Sequence, residues 1–69
     1  MKFDIYGRFF VDVTRESDDW TVYRVDQGRR LRMEDLVLPA EVRAEDIPRW
    51  LEDLLHEYAA PDRKIKMIE

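Results

Sequence analysis

The chain has 69 residues, a net charge of −4 and no cysteine. That length makes one small domain, residues 1–69, which hides only about 60% of the surface its unfolded chain exposes. Disulfide staples and cysteine-ligated metal are excluded, and a hydrophobic content of 45% argues against disorder despite 41% charged residues.

Lys2 to Thr14 is the longest run with strand-like alternation. Phe3, Ile5, Phe9, Val11 and Val13 fall on one parity, with Gly7 the only gap in the row. Lys2, Asp4, Tyr6, Arg8, Phe10, Asp12 and Thr14 fall on the other. Successive side chains of a strand point to opposite faces, so this reads as one long strand with one apolar face. Gly7 reads as a bulge, or as a place where an aromatic such as Trp50 approaches the sheet closely.

Residues 15–19 are polar and turn-like, and 20–25 (WTVYRV) are a second strand, β-branched and aromatic. Asp26-Gln27-Gly28 reads as a three-residue hairpin loop in which Gly28 takes a positive φ. Arg29 to Met33 is the third strand. The loop sets Val25 opposite Arg29, Tyr23 opposite Leu31 and Thr21 opposite Met33. An odd-length first loop (Glu16 to Asp18, or Ser17 to Asp19) joins odd positions of strand one to odd positions of strand two. Thr21, Tyr23, Val25, Leu31 and Met33 then share the covered face. Trp20, Val22, Arg24, Arg30 and Arg32 join Tyr6, Arg8 and Phe10 on the open one. A one-residue change in either loop would swap these faces.

Glu34 to Ala44 reads as a strand end running into an irregular connection over the core edge, with Leu36-Val37-Leu38 largely buried. The helix is the clearest element. Ile47, Trp50, Leu51, Leu54, Leu55 and Tyr58 form one continuous apolar stripe at helical spacing. Pro48, tolerated only in a first turn, fixes the start near residue 45, and Pro61 stops the helix after Ala60. Ile65 and Met67 mark a short last strand, placed beside strand one and parallel to it by a right-handed crossover. The fold class is α+β: a three-stranded antiparallel meander, one helix on one face and a C-terminal strand, in the order β-β-β-α-β.

The stretches FDIYGRF, WTVYRV, GRRLR and LPAE, followed by WLEDLLHEYAAP, resemble small bacterial single-domain proteins of uncharacterised function. The likeness covers nearly the whole chain. It implies a stand-alone α+β domain and carries over no catalytic residues.

No dinucleotide-binding glycine motif, phosphate loop, nucleophile elbow or HExxH motif occurs. His56, the only histidine, pairs with Glu52 one turn earlier and reads as a solvated pair, since one histidine cannot fill a zinc site. The acidic doublets (Asp18-Asp19, Glu34-Asp35, Glu45-Asp46, Glu52-Asp53) fall in turns, at a helix start and on a polar helix face. Metal, cofactor and enzymatic roles are therefore not expected. Asp4 and Arg8 interrupt any signal-peptide core, and no window approaches the apolar length of a membrane span, so the expected setting is cytoplasmic.

The open-face set Tyr6, Arg8, Phe10, Trp20, Val22, Arg24, Arg30 and Arg32 carries the functional expectation. Aromatics and arginine are enriched at protein interfaces. Charge is also asymmetric: Arg24 to Met33 holds four arginines against Asp26, and Glu34 to Glu57 holds eight acids against two arginines, which can orient two copies of one chain. The expectation is a non-enzymatic interaction module that self-associates through this face. RNA or single-stranded nucleic acid, stacked on the aromatics with arginines on phosphates, is the alternative. A merely solvated face of cross-strand pairs, with arginine stems covering the rings, is the reading that needs no partner.

Overall fold

Three tight turns lay out the sheet, and each contains two consecutive residues at positive φ. They are Tyr6 and Gly7 (+54° and +71°), Ser17 and Asp18 (+50° and +68°), and Gln27 and Gly28 (+49° and +79°). Two left-handed residues in succession match the right-handed twist of flanking strands, which is why such turns close hairpins. In the computed structural model, which describes residues 1–69, the turns separate β1 (Lys2–Ile5), β2 (Phe9–Glu16), β3 (Asp19–Asp26) and β4 (Arg29–Arg32). A last strand, β5 (Ile65–Met67), pairs with the free side of β1. The sheet has five strands in the order β4-β3-β2-β1-β5, and every pair is antiparallel.

The long first strand of the sequence reading is thus a hairpin. Ile5 stands opposite Phe9, and the carbonyl of Ile5 accepts a hydrogen bond from the Arg8 amide at 2.9 Å. The loop between them has an odd number of residues, which keeps odd positions on the same face before and after it. Alternation therefore runs unbroken through the turn. Gly7 is its only mark: it takes the second left-handed position of the turn, and the side chain nearest to it is that of Arg63, not Trp50. A Cβ at Gly7 would collide with the guanidinium of Arg63, which lies across the turn.

Both later loops have two residues, not three: Glu16 pairs with Asp19, and Asp26 with Arg29. Each shortening flips the faces once. Val13 therefore faces Val22, and Trp20, Val22 and Arg24 lie on the covered face while Thr21, Tyr23 and Val25 lie on the open one. The second flip undoes the first for β4. Arg30 and Arg32 end on the open face and Leu31 on the covered one, as the sequence reading has them, but opposite Val25, Tyr23 and Arg24.

The cover is built in two parts. Helix α1 (Ile47–Leu54) is preceded by a 3₁₀ turn at Ala44–Asp46 and followed by another at His56–Tyr58, so regular α-helix ends well before Ala60. Ile47, Leu51 and Leu55, one turn apart, are buried against Phe3, Ile5, Phe9, Val11, Val13 and Val22. The irregular segment before the helix adds Leu38 and Val42 to this core, whereas Val37 is 71% exposed, contrary to expectation. Two hydrogen bonds pin that segment over the sheet: Trp20 Nε1 donates to the Val42 carbonyl at 2.8 Å and Arg15 Nη1 to that of Ala40 at 2.7 Å.

The direction of β5 follows from the extra hairpin. With four strands before the helix, the chain leaves the meander running opposite to β1. The helix reverses it, and β5 returns antiparallel to β1, with Phe3 facing Met67.

Leu51 is fully buried at the centre of the stripe. Leu51→Ala should cost about 2–5 kcal/mol, read as a lower urea midpoint at unchanged m-value. The Ser17-Asp18 turn offers the opposite. Asparagine and glycine suit its two left-handed positions, so Ser17→Asn combined with Asp18→Gly should recover part of the roughly 1–2 kcal/mol that this conformation costs an ordinary residue. The same urea titration should then show a higher midpoint.

Candidate functional site

The eight residues expected on one open face are distributed over three environments. Phe10, Arg30 and Arg32 are on that face, with Phe10 44% exposed. Trp20, Val22 and Arg24 are on the covered side: Val22 is in the core, Trp20 is tied to Val42, and Arg24 lies over the Phe9 ring at 4.3 Å. Tyr6 and Arg8 sit in the first turn. Tyr6 is only 8% exposed, and Arg8 Nε donates to the Tyr58 carbonyl at 3.2 Å. Burial, and then the charges of Glu52 and Asp53, push the Tyr6 phenol above its ordinary pKa.

Tyr23, Val25 and Thr21, expected on the covered side, lie on the face away from the helix, where Thr21 is nonetheless buried. Strand pairing arranges this face in rows. One row runs Arg30, Val25, Phe10, Asp4, Lys66, and the next runs Arg32, Tyr23, Asp12, Lys2. The first row is an apolar pair flanked by an arginine on one side and an aspartate on the other.

The second row is locked by polar contacts. Arg30 reaches across to Asp12 at 3.3 Å and stacks on the Tyr23 ring at 4.1 Å. Glu16, further along β2, accepts hydrogen bonds from Thr14 Oγ1 at 2.8 Å and from Tyr23 Oη at 3.0 Å. The Thr14 hydroxyl, then the Tyr23 hydroxyl, hold the Glu16 carboxyl below its usual range, helped by Arg30 and Arg32. The same bond to Glu16 raises the Tyr23 phenol, chiefly because donation favours the protonated form.

His56 is exposed. No group of three or more His, Cys, Asp or Glu side chains comes together in a metal-binding cluster, and no helix is long and apolar enough to cross a membrane.

A family model matches residues 1–69, the whole chain. The chain belongs to DUF7661, a domain of unknown function. Comparison of this DUF7661 domain with curated proteins and with solved structures gives no match.

Because the Glu16 carboxyl is held low in the folded state, its stabilising contribution is complete above the unfolded-state pKa and is lost as pH falls through the folded value. Thr14→Val should move the Glu16 pKa up towards the ordinary range, and Tyr23→Phe should move it less. Carboxyl carbon shifts followed by NMR between neutral and acidic pH measure both. An unmoved titration in both variants would refute the assignment.

Proposed function

We propose that this DUF7661 domain is a non-enzymatic cytoplasmic interaction module that self-associates through its open sheet face. The observation that supports this reading is the row Arg30, Val25, Phe10, Asp4. Adjacent strands lie about 4.8 Å apart, so Arg30 and Asp4 flank the apolar pair symmetrically. Consider two sheets stacked face to face about a two-fold axis parallel to the strands and passing between β2 and β3. Each Phe10 then meets Val25 of the second copy, and each Arg30 meets Asp4. Stacked sheets favour such near-alignment of strands, and an isologous two-fold is the commonest symmetry of small assemblies. Burial of Phe10 and Val25 supplies affinity, and the flanking charges set the register.

Nucleic-acid binding is the weaker reading. Trp20 and Arg24 are turned to the covered side, and Asp4, Asp12 and Glu16 share the open face with the arginines that would hold phosphates.

Sedimentation equilibrium tests the proposal. The wild type should be a dimer. Phe10→Glu should be a monomer, because a carboxylate at the centre of the interface would be buried without a partner. Arg30→Asp should weaken the dimer, and adding Asp4→Arg to it should restore association by exchanging the two charges. A wild-type chain that stays monomeric at every concentration would overturn the proposal, as would a Phe10→Glu variant that dimerises normally.

A further inference from the structure

The sheet has two open edges, and β4 is the more exposed. All of its residues, Arg29, Arg30, Leu31 and Arg32, are exposed to solvent. Its hydrogen-bonding pattern can be read from one bond: the Met33 amide donates to the Val22 carbonyl at 2.9 Å. Bonded and non-bonded pairs alternate along antiparallel strands. Met33, Leu31 and Arg29 therefore turn their backbone groups inward to β3, and Arg30 and Arg32 turn theirs outward. Each outward residue offers one donor and one acceptor with no strand beside it, which is the template for adding a strand.

We infer that this edge takes up an extended acidic segment of another protein as a sixth strand, by β-augmentation. Charge selects the partner. Antiparallel pairing of β4 with β4 of a second copy would crowd arginine against arginine. Pairing it with β5, which carries Lys66 and follows Lys64, would set arginine against lysine. Like charges across strands are destabilising, so copies of this chain are poor occupants and an acidic segment is the complement. The cations are available for it. Arg29 and Arg32 make no ion pair within the chain, and Arg30 gives only part of its five-donor fork to Asp12.

Parity specifies the segment further. Residues opposite Arg30 and Arg32 would project onto the open face beside two guanidinium groups and should be acidic. The residue between them would project to the covered side, next to Leu31, which is 54% exposed, and should be apolar. The motif is acidic–apolar–acidic in an extended chain. Past Arg32 the edge leads to a recess of about 270 Å³ whose lining mixes Trp20, Met33 and Leu36 with Asp19, Arg32 and Glu34.

A fluorescein-labelled peptide alternating glutamate and valine, titrated into the wild-type protein by anisotropy at low salt, tests the inference. The unmodified peptide should bind. In the proposed pairing the glutamate amides face β4 and the valine amides face away. N-methylation of the glutamate amides should therefore weaken binding by about tenfold or more, the loss expected when roughly 1.4 kcal/mol of interaction disappears. N-methylation of the valine amides should leave affinity within about a factor of two, well under that 1.4 kcal/mol step. Arg32→Glu should also abolish binding. Failure of the unmodified peptide to bind would overturn the inference. So would equal binding of both methylated forms, which would mark plain charge attraction. Phe10→Glu, two strands from this edge, should still bind the peptide, and at least as well as the wild type because it frees Arg30 from Asp4 of the second copy, so the result stands apart from the outcome for self-association.

Discussion

The length of two turns decides which face every side chain of β3 and β4 occupies. Ser17-Asp18 and Gln27-Gly28 are two-residue loops with both residues left-handed, and an even loop joins odd positions of one strand to even positions of the next. With one residue more in the first, Tyr23 would enter the core and its hydroxyl would need a buried partner. Val22 would leave the core, and the Trp20 indole would lose its bond to Val42. As built, the aromatic with an N–H meets a carbonyl, the small β-branched residue fills the centre, and the phenol stays where a carboxylate can accept its hydrogen bond.

The polar side of the sheet is organised by the same register. Arg30 is held between Tyr23 and Asp12, and Glu16 is held between Thr14 and Tyr23. These contacts are solvent-exposed, so each adds little to stability. Their effect is positional. They hold long side chains in place on the open face, and so reduce the ordering cost that any partner would meet on binding.

Much of the fold was legible in the sequence because its apolar signals are strong. The row Phe3, Ile5, Phe9, Val11, Val13 is the sheet's share of the core, and Ile47, Leu51, Leu55 is the helix's. The first hairpin was hidden because its odd loop preserves alternation, and missing it also reversed the inferred direction of β5. The strand at residues 20–25 was ambiguous for a different reason. Trp20 and Val22 on one parity, and Tyr23 and Val25 on the other, give equal apolar weight to both faces. Only turn length separates them, and neither Ser-Asp nor Gln-Gly states it plainly. Of the candidate surface, Phe10 was placed by the strong row, whereas Arg30 and Arg32 reached the open face because two one-residue shifts cancel.

The strand β1 has neighbours of very different origin. On one side lies β2, a few residues away in the chain. On the other lies β5, where Lys2 and Ile68 are joined through the Lys2 carbonyl at 2.8 Å. Closing a short loop is fast and closing nearly the whole chain is not, so assembly of this sheet has a natural order: the hairpins first, the last strand at the end. Until that strand docks, β1 is a bare edge beside a half-covered core. The vulnerable moment of this small domain is therefore kinetic. It lies in the interval when β1 can still be claimed by the tail of another molecule, which makes the β1·β5 seam the place where crowded folding would exchange strands between chains.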